Sequence, residues 1–432
     1  MRVSHSLDQV AVTFDDEHAV ADAGLLLTAS LAQHLGLEAL ADEVIDLGDR
    51  PGAFLPGRKV MTLVHSMAAG GDFISDIDIL RSGSTAEVLG HRAMAATTVG
   101  TFLRSFSFGH VRQLDRMCAL ALSRAWTDGG AGPGEGPLTI DVDSTILEVH
   151  GYAKQGAAFG HTRQRGYHPL LATRAETGEV LHLRFRTGSA NTARGARRFL
   201  AETIARVRKA GASGPIVLRA DSGFHNAKVI DACRAKGVRF SITARMTSTI
   251  AAAIDQIPEL GWVPVADYPD GGFAELAETL LDDGTRLVVR RTIVLDPAET
   301  LFAVWRYHAF VTDREGATAD LDVDHRRHAQ VELVIRELKA GPLTHCPSGR
   351  FNANAAWAAI ATLAHNLLRW TAIIGGIDTR PVAAKTVRRR YLNLPGRITT
   401  SARRHTLHLP SRWPTANHWI GALAAVRTIT LC

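Results

Sequence analysis

The sequence predicts an α/β protein built around a mixed sheet, and three observations support this class. Segments such as PLTIDVDSTILEV and VLHLRFR alternate apolar and polar residues, as strands do. Between residues 135 and 248 the strand-like and helix-like segments follow the order strand, strand, strand, helix, strand, helix, strand. Residues 1–130 instead show helical spacing, as in AVADAGLLLTASLAQHLGL. We therefore expect a helical segment followed by a sheet with helices between its strands.

Five segments are expected along the chain. The Gly/Pro-rich stretch DGGAGPGEGP (128–137) predicts the first boundary. AELAETLL, the turn DDGT and RLVVRRTIVL predict a hairpin, and TLFAVWRYHAFVT predicts one more strand. The predicted segments are a helical N-terminal domain at 1–134, the first part of the α/β domain at 135–248, a β-rich insertion at 249–312, the last part of the α/β domain at 313–375 and a basic, helical C-terminal region at 376–432.

Composition excludes several classes of protein. The chain has 432 residues, 46% hydrophobic and 21% charged, which is typical of a globular protein. Its four cysteines are widely spaced and form no CxxC pair, so neither a disulfide framework nor a structural zinc site is predicted. No signal peptide and no membrane-spanning stretch is recognisable. These features predict a cytoplasmic protein without a membrane partner.

Positive charge is concentrated in the last quarter of the chain. Beyond Glu337 there are thirteen Lys and Arg residues and a single acid, Asp378. The whole chain has a net charge of +6, whereas residues 1–337 hold 36 basic and 42 acidic residues. Such a one-sided basic block predicts a polyanion partner, with nucleic acid the leading candidate; the alternative is a solvated basic surface. The block is densest in Lys385, Arg388, Arg389, Arg390, Arg397, Arg403, Arg404 and Arg412.

Aspartates occur at unusual places in two predicted strands. In TIDVDST, Asp141 and Asp143 share one strand face, because side chains two residues apart point the same way, while Ile140 and Val142 face the other side. Asp221 ends the strand PIVLRAD. Carboxylates at strand ends of an α/β sheet commonly bind hard cations such as Mg²⁺. A D-x-D pair also occurs in plain turns and in sugar-nucleotide transferases, so this motif alone leaves those readings open.

A third acid lies in the predicted helix HRRHAQVELVIRELKAG. His325, His328, Glu332 and Lys339 fall on one stripe of such a helix, beside an apolar stripe that begins at Val331. One carboxylate among potential cations can provide a metal ligand flanked by phosphate-binding groups. An ordinary amphipathic surface helix is the alternative.

Together these motifs resemble the DDE class of bacterial insertion-sequence transposases. Asp143 in the DST strand, Asp221 in RADSGF and Glu332 in its helix correspond to the three acids of that class. One branch has a Tyr-Arg-Glu-Lys helix signature, spaced Y-x2-R-x3-E-x6-K, and Glu332 and Lys339 match it. His325 and His328 replace the Tyr and Arg, with Arg327 between them. The resemblance also includes GYHPLLA and RTGSANTARGARRFL, spans roughly residues 135–375, and includes a β-rich insertion before Glu332.

The resemblance implies a ribonuclease H-like fold and metal-dependent DNA chemistry. The implied catalytic and metal-binding residues are Asp143, Asp221 and Glu332, holding two Mg²⁺ or Mn²⁺ ions. The implied reaction is cleavage at terminal inverted repeats followed by strand transfer into target DNA, by a homodimer on double-stranded DNA at the nucleoid. A catalytically inactive, transposase-derived DNA-binding protein is the alternative.

Further residues are candidates for contacts with DNA or metal. Asp141 competes with Asp143 for the ligand role, and Asp143 is favoured because the family's acid directly precedes the small polar pair. An aromatic such as Trp305 is a candidate for stacking on a flipped base, although packing within its strand is the alternative. The DNA-contacting set predicted from the helix and the tail is Lys339, His328, His325, Arg327, Arg388, Arg389 and Arg390.

Overall fold

A computed structural model describes residues 6–160, 163–266, 268, 273–294, 304–377 and 383–431. The N-terminal part is helical after a two-residue strand, β1 (Ala19–Val20). Gly36, with φ +59°, turns the chain between the first two helices, and Pro56 begins the third. The helices of this part are α1 (Leu25–His34), α2 (Leu37–Val44), α3 (Pro56–Ala69), α4 (Thr85–Leu89), α5 (Ala96–Arg104) and α6 (Phe108–Thr127).

A nine-stranded mixed sheet forms the centre of the molecule. Its first strands and their helices are β2 (Leu138–Ser144), β6 (Leu170–Arg174), β7 (Val180–Arg184), α7 (Ala196–Lys209), β8 (Ile216–Ala220), α8 (Ala227–Arg234), β9 (Arg239–Thr243) and α9 (Ser248–Asp255). Three short strands in the loop between β2 and β6 form a small separate sheet: β3 (Leu147–Glu148), β4 (Ala158–Phe159) and β5 (Arg165–Tyr167). Strands β2, β8 and β9 are parallel, whereas β6 and β7 add to them in antiparallel fashion. The predicted strand–helix order and mixed sheet are therefore confirmed.

The β-rich insertion extends this sheet. Its strands are β10 (Val263–Pro264), β11 (Ala274–Leu280), β12 (Arg286–Val294) and β13 (Val304–Thr312). The hairpin predicted at DDGT is present as the β11–β12 pair. Phe310–Thr312 of β13 then pair with Ser241–Thr243 of β9, which gives the strand order β10-β11-β12-β13-β9-β8-β2-β6-β7. The insertion thus shares the sheet of the α/β part.

The helix predicted around Glu332 is interrupted. The structure has α10 (Thr318–Arg326) and α11 (Ala329–Lys339), with Arg327 and His328 between them. The expectation of one continuous stripe from His325 to Lys339 is therefore wrong. Helix α11 packs against β2 and β6, and its buried face begins with Val331 and ends with Leu338.

An alanine-rich helix, α12 (Phe351–Ile374), lies between the N-terminal helices and the sheet. It contacts α3, α5 and α6 and also β7, and most of its residues are buried. The side-chain amide of Asn366 hydrogen-bonds both the N–H and the carbonyl of Val180, at 2.7 and 2.8 Å. Small side chains let α12 approach its neighbours closely, so the helical part and the sheet share one hydrophobic core.

The basic C-terminal region is folded onto the N-terminal helices. It contains α13 (Ala384–Val387), a π-helical turn (Arg388–Leu392), strands β14 (Gly396–Ser401) and β15 (Arg404–His408), and α14 (Ala416–Arg427). Strand β14 pairs with β1 and β15, so this region, predicted as helical, also contains a hairpin. In the described ranges, no helix has the length and apolar character needed to cross a membrane.

Candidate active site

Asp143 and Asp221 lie side by side at the ends of two parallel strands. In the β2–β8 register Val142 is opposite Ala220, so the next residue of each strand is an aspartate. Adjacent strands are about 4.8 Å apart, which makes the two carboxylates neighbours. Each carboxylate accepts a backbone N–H: Asp143 from Ser144 at 2.6 Å and Asp221 from Gly223 at 3.1 Å. The strand ends therefore present two part-buried acids at one edge.

Glu332 comes to the same place in the first turn of α11. His328 precedes that helix, and its Nε2 lies 3.2 Å from the carbonyl oxygen of Val142, the residue before Asp143. This contact holds the start of α11 against β2. Burial lowers the pKa of His328, which favours a neutral ring that donates one N–H to this carbonyl. Glu332 itself is exposed on the free side of the helix.

The charges of Asp221 and Glu332 act on Asp143. The pKa of Asp143 is raised to about 7, first by burial and then by the negative charge of Asp221, with a further contribution from Glu332. Burial also raises the pKa of Asp221, and the nearby His328 opposes that rise. Acidic groups are thus concentrated at this edge, and Arg245 is a nearby cation that lowers the pKa of Asp221. The three acids lie on β2, just after β8 and on α11, and the fold brings Asp221 and Glu332 within electrostatic range of Asp143.

Asp141 has a different role from Asp143. It is fully buried, and its carboxylate makes a two-pronged pair with Arg219, which lies opposite it on β8, at 2.7 and 2.8 Å. Arg219 also donates to the backbone carbonyl of Asp324 in α10. Burial raises the pKa of Asp141 to about 6, while Arg219 opposes that rise and keeps the pair ionised at neutral pH. The structure thus gives Asp141 a partner other than a metal, and its side of β2 is buried as well as the apolar side.

A polar loop lies beside the acids and was not predicted as part of the site. The hydroxyl of Thr192 is 3.0 Å from that of Ser144, and a Cβ built on Gly223 would lie 2.7 Å from the Thr192 side chain. Arg186 supports this loop by donating to the carbonyls of Asn191 and Arg194. The available signal was the arginine of RTGSANTARG, because a guanidinium carries five N–H donors that can bind several carbonyl oxygens of one loop.

The donor set suits a hard divalent cation. Carboxylate oxygens are the ligands that Mg²⁺ and Mn²⁺ prefer, and like-charged, part-buried carboxylates gain from a cation. Within the described residues, however, no three His, Cys, Asp or Glu side chains are gathered closely enough to hold a metal ion. Asp143, Asp221 and Glu332 are therefore electrostatic neighbours, with the chemistry for a metal site.

The predicted DNA contacts from the broken helix are in different surroundings. His325 lies between the hydroxyls of Ser241 and Thr243, at 2.8 and 3.0 Å, and stacks on Phe310. Burial is the first cause that lowers its pKa to about 3. Both ring nitrogens are thus occupied, which argues against the predicted phosphate contact. Arg327 and Lys339 are exposed, the first between α10 and α11 and the second at the end of α11.

The three consecutive arginines of the C-terminal region differ in their surroundings. Arg388 is directed inward and donates to the carbonyls of Met67 and Ala68 at the end of α3, at 3.1 and 3.0 Å. Its predicted contact with DNA conflicts with these bonds, because the guanidinium caps a helix within the protein. Arg389 and Arg390 are exposed.

Trp305 packs within the insertion. The guanidinium of Arg291 lies 4.3 Å from the ring centroid of Trp305 and 4.3 Å from that of Trp262, between the two indoles. Arg291 also pairs with Glu259 and Glu275. This arrangement matches the packing alternative, and base stacking by Trp305 stays a prediction.

Comparison with known proteins identifies the family of the chain. No curated protein sequence matches it. A solved structure described as a cryo-EM structure of piggyBac transposase synaptic complex with hairpin DNA is similar, with 13% identity and a TM-score of 0.47, over 86% of this chain and 79% of that chain. A family model described as Transposase DDE domain group 1 matches residues 4–430. Because that match includes nearly the whole chain, the protein belongs to this family of DDE transposases.

Proposed function

We propose that the chain is an active transposase that binds terminal inverted repeats, cuts DNA at them and joins the freed ends to target DNA. One observation carries the proposal: Asp143 on β2 lies within electrostatic range of Asp221, just after β8, and of Glu332, in the first turn of α11. We also propose that the mixed sheet around them is a ribonuclease H-like core. The family membership supports this reaction class.

In this proposal the three carboxylates hold two Mg²⁺ or Mn²⁺ ions. When bound, such ions activate the attacking oxygen and stabilise the leaving oxygen of a phosphodiester. The protein holds the ligands in place: the Ser144 N–H orients Asp143, the Gly223 N–H orients Asp221, and the contact of His328 with Val142 fixes the start of the Glu332 helix. Asp141 keeps β2 and β8 in register through Arg219.

Exposed cations around the acidic edge are the proposed DNA contacts. Lys339 lies seven residues beyond Glu332, about 10 Å along α11, which suits a phosphate beside the cut site. Arg327 is exposed just before the same helix, and His328 follows it in the chain. Arg389 and Arg390 provide positive charge on the C-terminal region. Two subunits on paired ends complete the proposed complex.

A strand-cleavage assay tests the proposal. The substrate is duplex DNA carrying the inverted repeats that flank the gene, incubated with Mg²⁺, with Mn²⁺ or with chelator. We expect cleavage only with metal, and its loss in Asp143→Asn, Asp221→Asn and Glu332→Gln while end binding persists. Asp255→Asn, an exposed carboxylate at the end of α9, is the matched control and should cut normally.

Two results would contradict the proposal. Wild-type protein that binds the ends but never cuts them would identify an inactive, transposase-derived DNA-binding protein. Normal cutting by Asp221→Asn would show that the acidic site is assigned wrongly.

A further inference from the structure

Two histidines of the N-terminal helices face each other inside the packing, far along the chain from the acidic site. His65 lies on α3 and is 2% exposed, and His91 follows Gly90 at the end of α4. Their ring centroids are 5.5 Å apart. Among the described residues, Nδ1 of His65 is buried without a hydrogen-bond partner. Both ring nitrogens of His91 are also buried, and the Arg92 backbone is a hydrogen-bonding group that acts on that ring and raises its pKa, which leaves the other nitrogen available. A buried ring nitrogen without a partner is rare in folded proteins and calls for a water, an ion or another group that binds it.

A cavity of about 330 Å³ borders the pair. Glu38 and Arg58 also line it, and the Arg58 Nε donates to the Glu38 carboxylate at 2.8 Å. Burial lowers the pKa of His65 to about 3 and also lowers that of His91. Both imidazoles are therefore neutral at physiological pH and each has a lone pair, which is the form that binds metal ions.

The ring separation fits two imidazoles on one ion. With Zn–N bonds of about 2.0–2.1 Å, each ring centroid lies about 3.2 Å from the ion, so two rings at a tetrahedral angle have centroids about 5.2 Å apart. The observed separation is 5.5 Å. Packing of the two rings by itself would leave their nitrogen lone pairs unused. A shared metal ion would use one lone pair from each ring.

We propose that His65 and His91 bind one zinc-like transition-metal ion at the edge of this cavity. Imidazole nitrogen suits zinc, cobalt and nickel, whereas Mg²⁺ prefers the oxygen ligands of the acidic site. In the part of the chain that the structure describes, no third side chain of a ligating type completes a group of three, so water from the cavity fills the other positions. Glu38 offsets the positive charge of Arg58 beside the ion. Such an ion would connect α3 to the segment after α4.

Cobalt and zinc titrations of full-length protein test this site. The protein is first treated with chelator to remove bound metal. The titrations use a triple variant in which the acidic site cannot compete for the ion, Asp143→Asn/Asp221→Asn/Glu332→Gln. We expect one equivalent of Co²⁺ to give a d–d absorption band that Zn²⁺ displaces. His65→Gln and His91→Gln should each weaken binding by more than the ~10–100-fold that loss of an outer-shell partner costs. His418→Gln, an exposed histidine of α14, is the matched control.

The metal-binding results can be distinguished from a failure of the variants to fold and from a failure of the proposed DNA cleavage. Circular dichroism in chelator shows whether each variant is folded; because His91 is less buried than His65, His91→Gln keeps the test decisive if His65→Gln unfolds. No bound equivalent in the triple variant, or unchanged affinity in folded His91→Gln, would overturn the proposal. Failure of DNA cleavage by the wild type would leave the cobalt result unchanged.

Discussion

At the scale of single residues, Asp141 and Asp143 differ because of what faces each of them. The alternation of TIDVDST predicted that they share a strand face, and the family resemblance favoured Asp143 as the ligand because it directly precedes the small polar pair. It could not predict Arg219, because that partner comes from a neighbouring strand whose register depends on the whole sheet. Asp141 therefore has a compensating cation, whereas Asp143 has two acids as neighbours.

The raised pKa of Asp143 predicts that the candidate site costs stability in the absence of metal. The folded protein favours the protonated form of Asp143. The contribution of this group to the free energy of unfolding is therefore fully present below pH 3.8 and is lost as the pH rises through about 7. Asp143→Asn removes this loss. We expect the variant to be more stable than the wild type at pH 8 in chelator by about 2 kcal/mol, because partial solvation reduces the full linkage of about 1.4 kcal/mol per unit.

Urea unfolding at pH 5 and pH 8 measures this difference. The advantage of Asp143→Asn should shrink at pH 5, and Mg²⁺ should raise the stability of the wild type alone. Asp141→Asn is the control: it removes the charge that pairs with the buried Arg219 and should destabilise the protein at both pH values. Equal stability of wild type and Asp143→Asn at pH 8 would refute the interpretation.

At the scale of elements, the break between α10 and α11 could not be predicted locally. HRRHAQVELVIRELK contains neither Pro nor Gly, so its helical pattern runs on without a stop signal. Tertiary contacts cause the break: ion pairs of Asp322 with Arg290 and of Asp324 with Arg219 tie α10 to the sheet, while α11 packs on β2 and β6. By contrast, the β11–β12 hairpin was predictable, because DDGT is a local turn signal.

The arginines of the π-helical turn predict different mutational effects. Arg388→Ala removes two charged hydrogen bonds from the end of α3 and should reduce the free energy of unfolding by about 1.5–3 kcal/mol. Arg389→Ala/Arg390→Ala should leave stability unchanged. If both engage phosphates, the double variant should flatten the plot of log affinity against log salt by about 1.8, at about 0.9 per phosphate.

Denaturant unfolding measures the structural role of Arg388, and DNA binding at several salt concentrations measures the phosphate contacts of Arg389 and Arg390. Arg412→Ala, an exposed arginine elsewhere in the tail, controls for a general loss of charge. A salt slope that is unaltered in the double variant would mean that these side chains are merely solvated.

At the scale of the whole molecule, the C-terminal region is part of the core. The N–H of Ala23 donates to the carbonyl of Leu394 at 2.8 Å, and a Cβ on Gly24 would lie 1.9 Å from the Tyr391 carbonyl oxygen. Composition predicted the basic charge of this region correctly but not its burial, because Arg388 and Leu392 hydrogen-bond with Ala68 and Gly24, hundreds of residues away in sequence. Long-range pairing of this kind has no local sequence signal.

A truncation after Asp378 should therefore lose more than DNA affinity. It removes β14, the partner of β1, and α14, which packs on α1 and α12. We expect the truncated protein to lack a single cooperative thermal transition, measured by circular dichroism and calorimetry. A cooperative transition near that of the full chain would show that the tail is dispensable for folding. Arg389→Glu/Arg390→Glu, which changes the charge only, is the control.

The pairing of β1 with β14 also has a consequence for synthesis. The strand at residues 19–20 leaves the ribosome long before residues 396–397. Its backbone groups therefore cannot pair with β14 until most of the chain has been synthesised. During that interval the apolar surface of α1 has no C-terminal cover, and chaperones and proteases can reach it. A chain interrupted before this point would keep that surface uncovered, so we expect it to be degraded and to contribute little folded protein.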